Sequence, residues 1–283
     1  VRTVVSAVAV ILGVVLAALA VPAIWLDRHV VQEDGFVALA APLGSDDEFQ
    51  QRLAAAAIGT IDTSAVPEVF AGLLDPVLEA AAESLTGLPG YPAAWEETLR
   101  RSHRLSFAEP GTLPAEVDSS TALTLDVAPL VALGMEELSR TSGLPLDPPG
   151  QTLINVGQAN QRQLIEQAAA YAPLGYSLAI GSGIALLLAL VAARRRWVVV
   201  FSTGIGGLLI AGLWAAGSQL AGDTVLATTS GNEIADMFKN EFAAAATASF
   251  RTWTLAAAIA GVALAVVGIV VRIASPGRRG STR

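Results

Sequence analysis

The residues best placed to do chemistry form one short run, Trp95-Glu96-Glu97-Thr98-Leu99-Arg100-Arg101-Ser102-His103-Arg104. Arg100, Arg101, His103 and Arg104 concentrate positive charge in a stretch that is otherwise acidic. Guanidinium forks match the paired oxygens of phosphate or carboxylate, so as a binding site these four would take an anionic ligand such as a lipid headgroup. The same spacing also has a structural reading. Glu96/Arg100 and Glu97/Arg101 are i,i+4 pairs in the favourable order, with Trp95 and Leu99 turned to a core. Other chemistry finds little footing. His29 and His103 are the only histidines, and nothing in their spacing joins them to a carboxylate as a metal site would require. The chain has no cysteine, which excludes disulfides and thiolate ligands. Asp46-Asp47-Glu48 reads as a helix start, no serine stands in a nucleophile elbow, and no phosphate-binding loop occurs. The expectation is a protein that is not an enzyme and carries no metal and no cofactor.

The elements around this run are dominated by apolar stretches. The 283 residues are 53% hydrophobic with a mean hydropathy of +0.56. Four segments have the roughly 20 apolar residues needed to cross a bilayer: 4–26, 173–193, 197–217 and 253–273, the last apolar from Trp253 to Val271. Ala18-Leu19-Ala20 resembles a signal-peptidase site, but the apolar run continues through Val21, Ile24, Trp25 and Leu26, which favours an uncleaved anchor. Ala9, Gly13 and Ala17 recur every four residues, and Gly204, Gly206, Gly207, Ala211 and Gly212 crowd the third segment; both patterns suit close helix packing. Gly204-Ile205-Gly206-Gly207 is thus packing rather than a nucleotide fingerprint. The apolar cores hold no ionisable residue, which argues against ion-coupled transport by this chain alone.

Charge orients the spans. Arg194, Arg195 and Arg196 break the second span from the third; with Arg2, Arg272, Arg278, Arg279 and Arg283 they form a positive set without an acid. Residues 27–171 hold 21 acids against seven arginines. Since arginine-rich short loops stay on the cytoplasmic side, both termini are expected inside, with 27–171 and 218–252 outside the cytoplasmic membrane. The segment 274–283 reads as a basic cytoplasmic tail drawn to anionic lipid.

Segment 27–171 is long enough for its own core. A first helix is expected from Ser45-Asp46-Asp47-Glu48, with Phe49, Leu53, Ala56 and Ala57 as its stripe. A second carries Val66, Phe70, Leu73, Val77, Ala81 and Leu85, restarting at Asp75-Pro76, and a third runs about 92–107. Alternation at Leu123-Thr124-Leu125-Asp126 predicts a hairpin of 112–117 with 121–127, then a helix 128–141 ended by Gly143, a third strand at 152–156, and a helix 158–171. The fold class expected is an α-helical polytopic membrane protein of four transmembrane helices with an extracytoplasmic α+β domain. In 218–252, Ile234, Phe238, Phe242 and Trp253 lie on the apolar face of an amphipathic helix running into the fourth span. That face must cover the large domain, a partner or lipid, and is the expected interaction surface.

Phe36 with Ala41-Pro42-Leu43, the Trp95…Arg101…His103 helix, Leu123-Thr124-Leu125-Asp126 leading to Pro129, and the four spans together resemble a recurrent kind of four-span membrane protein of actinobacteria. That resemblance implies a place in the cell envelope rather than an activity. The topology is also similar to the membrane subunits of mechanotransmitting ABC systems, which would imply a transport complex. Such subunits engage an ATPase through cytoplasmic surface, and Arg194-Arg195-Arg196 supplies almost none. The expected function is therefore an integral envelope protein whose outside domain mediates protein–protein or self association. The alternative is an anionic-lipid or ligand binder using Arg100, Arg101, His103 and Arg104. Expected partners are the bilayer, another membrane or envelope protein or a second copy, and an anionic lipid, with no nucleic acid.

Overall fold

The computed structural model describes residues 2–51, 53, 84–108, 124–143, 145, 147–155, 162–227, 229 and 233–274. In chain order its elements are α1 (Arg2–Leu26), continued by a π-helical turn (Asp27–Val31), α2 (Glu33–Ala40) and a 3-10 turn (Ala41–Ser45). Then come α3 (Tyr91–Phe107), β1 (Thr124–Asp126), α4 (Ala128–Ser142), β2 (Leu153–Asn155) and α5 (Arg162–Tyr171). Three long helices follow: α6 (Leu174–Ala192), α7 (Arg196–Ala227) and α8 (Glu233–Ala274). The described residues are mostly helical, and among them four helices are long and apolar enough to cross a membrane. The chain divides into two compact units, one of Val1–Asp27, Tyr171–Asp223 and Thr247–Arg283, the other of Arg28–Ala170 and Thr224–Ala246.

In the first unit small residues set the helix pairs. α1 and α6 run antiparallel: the Ser6 hydroxyl donates to the Ala189 carbonyl (3.0 Å) and the Ser182 hydroxyl to the Gly13 carbonyl (2.8 Å). A side chain at Gly13 would meet Leu186 at 2.7 Å, so Gly13 is where the two helices need no Cβ. α7 and α8 are antiparallel as well. A Cβ on Gly204 would stand 2.5 Å from the Ala265 nitrogen and 2.6 Å from the Gly261 carbonyl oxygen; one on Gly268 would stand 2.8 Å from Phe201. Gly212, by contrast, has nothing within 4 Å, so the expected close approach holds at Gly204 and not there.

Pro22 lies inside α1 and cannot supply the amide that would bond the carbonyl four residues back. That carbonyl is Ala18, and it accepts the indole N–H of Trp214 at 3.1 Å. The bond a proline removes in one helix is thus replaced by a side chain of another. Trp25 likewise donates to the Ser249 hydroxyl (3.2 Å) and packs edge-on to Phe250. Outer faces are apolar and open: Ile11, Leu209 and Ile259 are 65%, 72% and 69% exposed.

In the second unit the core gathers Phe36, Phe49, Trp95, Leu99, Leu125, Ile154 and Phe238. The helix from residue 47 is capped by Asp46, whose Oδ1 accepts the Phe49 amide at 2.9 Å, one residue later than a box headed by Ser45. α4 ends as expected, at a left-handed Gly143 (φ 72°) whose amide bonds the Ser139 carbonyl. β1 pairs antiparallel with β2, Leu125 opposite Ile154. The strand expected at 112–117 and most of the second expected helix, Val66 to Ala81, lie outside the described residues, as do Ala56 and Ala57. α2 and its 3-10 turn form where no element was expected, with Glu33 and Asp34 favouring the helix start. In 218–252 the expected amphipathic helix is present, since α8 begins at Glu233, and the other end is helical too, because α7 continues ten residues past Gly217 with no proline to stop it.

Candidate functional site

The Trp95–Arg104 run lies on α3, where Trp95 and Leu99 face the core and Trp95 donates its indole N–H to the Ala40 carbonyl (3.3 Å). The opposite face is a lattice of ion pairs. Arg100 bonds Glu96 at 3.2 Å and Arg101 bonds Glu97 at 3.1 Å. Arg104 reaches Glu33 of α2 at 3.2 Å and Glu97 at 3.8 Å, while Arg101 also stands 3.9 Å from Asp126. Each guanidinium already faces a carboxylate, so an anionic ligand would have to displace one. The i,i+4 spacing made the first two pairs legible; Glu33 and Asp126 are distant in sequence and gave no signal.

His103 does not join that face. It is 5% exposed, stacked on Phe107 with centroids 4.4 Å apart and against Phe36 at 5.2 Å. Its Nε2 lies 3.0 Å from the Val30 carbonyl, which it bonds as the Nε2–H donor. Burial lowers its pKa below the ordinary value, and the Val30 bond and nearby Glu33 only partly offset that. His103 is a neutral spacer between α3 and the π-helical turn. The Tyr91 phenol, also buried, is pushed upward by loss of solvent and stays protonated.

Asp126 is the buried acid that sequence spacing missed. Its Oδ1 accepts the amides of Ala128 (3.1 Å) and Thr152 (3.0 Å), so it starts α4 and ties the two strands. Its own amide donates to the Ser102 hydroxyl at 3.0 Å, and Ser102 in turn donates to the Thr98 carbonyl. The available signal was Pro129 three residues on, a residue that favours the first helical turn and leaves Asp126 to satisfy the amide before it.

Of the three covers expected for the apolar face of α8, Phe238 and Phe242 meet the large domain. Phe238 is 1% exposed; its ring lies 6.1 Å from Phe49 and 5.8 Å from Phe242, which in turn lies 5.3 Å from Phe36. These aromatics complete the core of their own unit against α2 and the helix from 47. The side chain of Ile234 lies outside the described residues. Trp253 lines an open crevice of about 460 Å³ in the first unit with Val21, Thr252, Ala256 and Ala257. The Thr252 hydroxyl turns back to the Ser249 carbonyl (2.6 Å), so the crevice is apolar.

At the other end of the first unit, Arg194, Arg195 and Arg196 lie in the tight connection of α6 to α7, with their side chains largely in the open. The Arg272 guanidinium sits 4.9 Å over the Trp197 ring. Arg278 and Arg279 lie outside the described residues. Among the described residues no group of three histidines or acids could hold a metal ion. Comparison with family models, with curated proteins and with solved structures finds no match.

Proposed function

We propose that this chain is a non-enzymatic, multi-pass protein of the cytoplasmic membrane. In this reading α1, α6, α7 and α8 are its four spans, and segments 27–171 and 218–252 lie on the extracytoplasmic side. The observation that carries the reading is the surface of the first unit. Leu187, Val191, Leu209, Leu213, Ile259 and Val270 are exposed on three of its helices, far more open apolar surface than a soluble protein tolerates. Within the helix pairs, Ser6, Ser182 and Trp214 turn their polar groups inward onto backbone carbonyls. Arg2, Arg194, Arg195, Arg196 and Arg272 supply the cytoplasmic charge.

The role we assign to the outside segment is association, with a second copy or another envelope protein. It is supported by the state of its polar groups: Arg100, Arg101, Arg104, His103 and Asp126 are all committed to internal partners. With these groups already engaged, what the described part of the segment offers a partner is shape. Crosslinking in cells followed by mild-detergent purification and mass spectrometry tests it. The expected result is a self-crosslinked oligomer or a stoichiometric protein partner; a chain recovered only as an uncrosslinked monomer would overturn the association role.

A further inference from the structure

We infer that the arginine-bearing end of the four-helix unit is a binding site for the phosphate of an anionic phospholipid, an inference that rests on the membrane-spanning reading above. The helix registers bring the arginines to one end. Ser6 beside Ala189 places Arg2, one turn earlier, next to the α6–α7 connection that holds Arg194, Arg195 and Arg196. Gly268 beside Phe201 places Arg272 at the start of α7, where its guanidinium lies on Trp197. Five arginines therefore stand at one end of the unit, although the sequence scatters them over 270 positions.

What separates this cluster from Arg100, Arg101 and Arg104 is the absence of counter-charge. Among the described residues no carboxylate pairs with Arg2, Arg194, Arg195, Arg196 or Arg272. No acid occurs from residue 1 to 26, from 167 to 222, or after Glu241. Three consecutive guanidinium groups repel one another, and an anion at their centre relieves that. Arg272 is held at this end by a cation–π contact, its guanidinium carbon 4.9 Å from the Trp197 ring centroid, and a guanidinium offers phosphate a two-pronged bond that lysine does not reproduce. Just beyond the arginines the helix surfaces are hydrocarbon, with Val191, Val198 and Val270 exposed. A ligand that sets phosphate at the arginines and acyl chain on the valines is a phospholipid, and an anionic one because the positive charge is in excess.

The test separates arginine geometry from charge. The full chain is reconstituted in vesicles of equimolar phosphatidylglycerol and phosphatidylcholine, extracted gently, and its retained lipid measured by native mass spectrometry. It is compared with a variant carrying R194K, R195K, R196K and R272K, in which the positive charge that orients the spans is unchanged. The wild-type chain is expected to retain phosphatidylglycerol over phosphatidylcholine by about tenfold, and the lysine variant to lose most of that preference, as one lost bidentate contact implies. Equal retention of both lipids, or a preference unchanged in the lysine variant, would overturn the site. So would release of the lipid by inorganic phosphate at equal concentration, since the site would then read a free anion. Failure of the wild-type chain to float with the vesicles would overturn the membrane reading itself.

Discussion

Replacing Trp214 by Phe should destabilise the four-helix unit, and replacing Pro22 by Ala should remove most of that effect. The Trp214 indole N–H is the donor to the Ala18 carbonyl at 3.1 Å, and Pro22 is the reason that carbonyl lacks its helical partner. Phe keeps an aromatic ring against Phe250, with some loss of volume, but leaves the carbonyl unsatisfied in an apolar surrounding. Such a loss costs about 1–3 kcal/mol in proteins generally. Measured side-chain bonds between membrane helices average nearer 0.6 kcal/mol, so about 1 kcal/mol is the expected size. In the Pro22→Ala chain the backbone amide returns to Ala18, and Trp214→Phe should then cost only a few tenths of a kcal/mol, the remainder being lost packing. Unfolding of the four chains (wild type, two singles, the double) in mixed micelles by denaturing detergent gives the coupling directly. If Trp214→Phe costs the same in the wild type and in the Pro22→Ala background, the Trp214 bond does not compensate for the proline.

Gly204→Val should weaken the same unit by about 1–3 kcal/mol, since its Cβ would meet the α8 backbone, whereas Gly212→Ala, with open space around it, should be neutral or mildly stabilising in the same micelle unfolding assay. Phe238→Ala should cost about 3–5 kcal/mol of the second unit's stability by denaturant titration; unchanged stability with lost partner capture would restore Phe238 to an interaction surface. Asp126→Ala should cost roughly 2–5 kcal/mol, because the Ala128 and Thr152 amides lose their acceptor, while Asp126→Asn keeps Oδ1 and should cost less than half as much. His103 sets a pH dependence. Its folded pKa lies below the ordinary value of about 6.5, so on acidification the unfolded chain takes up its proton first. That contribution is fully present above the ordinary value and is lost as pH falls from it toward the folded value. Denaturation midpoints should drop between about pH 7.5 and 5 by more in the wild type than in His103→Gln; equal drops would show that the buried ring carries no such linkage.

How much the sequence disclosed depended on the range of each interaction. Apolar runs of about 20 residues, the i,i+4 pairs of Glu96, Glu97, Arg100 and Arg101, and the stop at Gly143 are local patterns, and the structure places each where the periodicity did. The amphipathic stripe at Phe238 and Phe242 was equally legible, but what covers it was not. Periodicity shows that a face must be buried without saying against which segment, and Phe36 and Phe49 are far away in the chain. The same limit hid Arg104 with Glu33, the bond of His103 to Val30, and the β1–β2 pairing across α4. Helix length was underestimated past Gly217 because hydropathy ends where the apolar surface ends, while the hydrogen-bonded ladder continues until a breaker stops it.

The central claim, four spans with the large segment outside and the arginines inside, is tested most directly by cysteine accessibility. The chain has no cysteine of its own, so Gly150→Cys and Arg195→Cys each give one reporter on a clean background. A membrane-impermeant maleimide applied to intact cells should label Gly150→Cys at once and Arg195→Cys only after permeabilisation. Labelling of Arg195→Cys in intact cells, or protection of Gly150→Cys, would contradict the account.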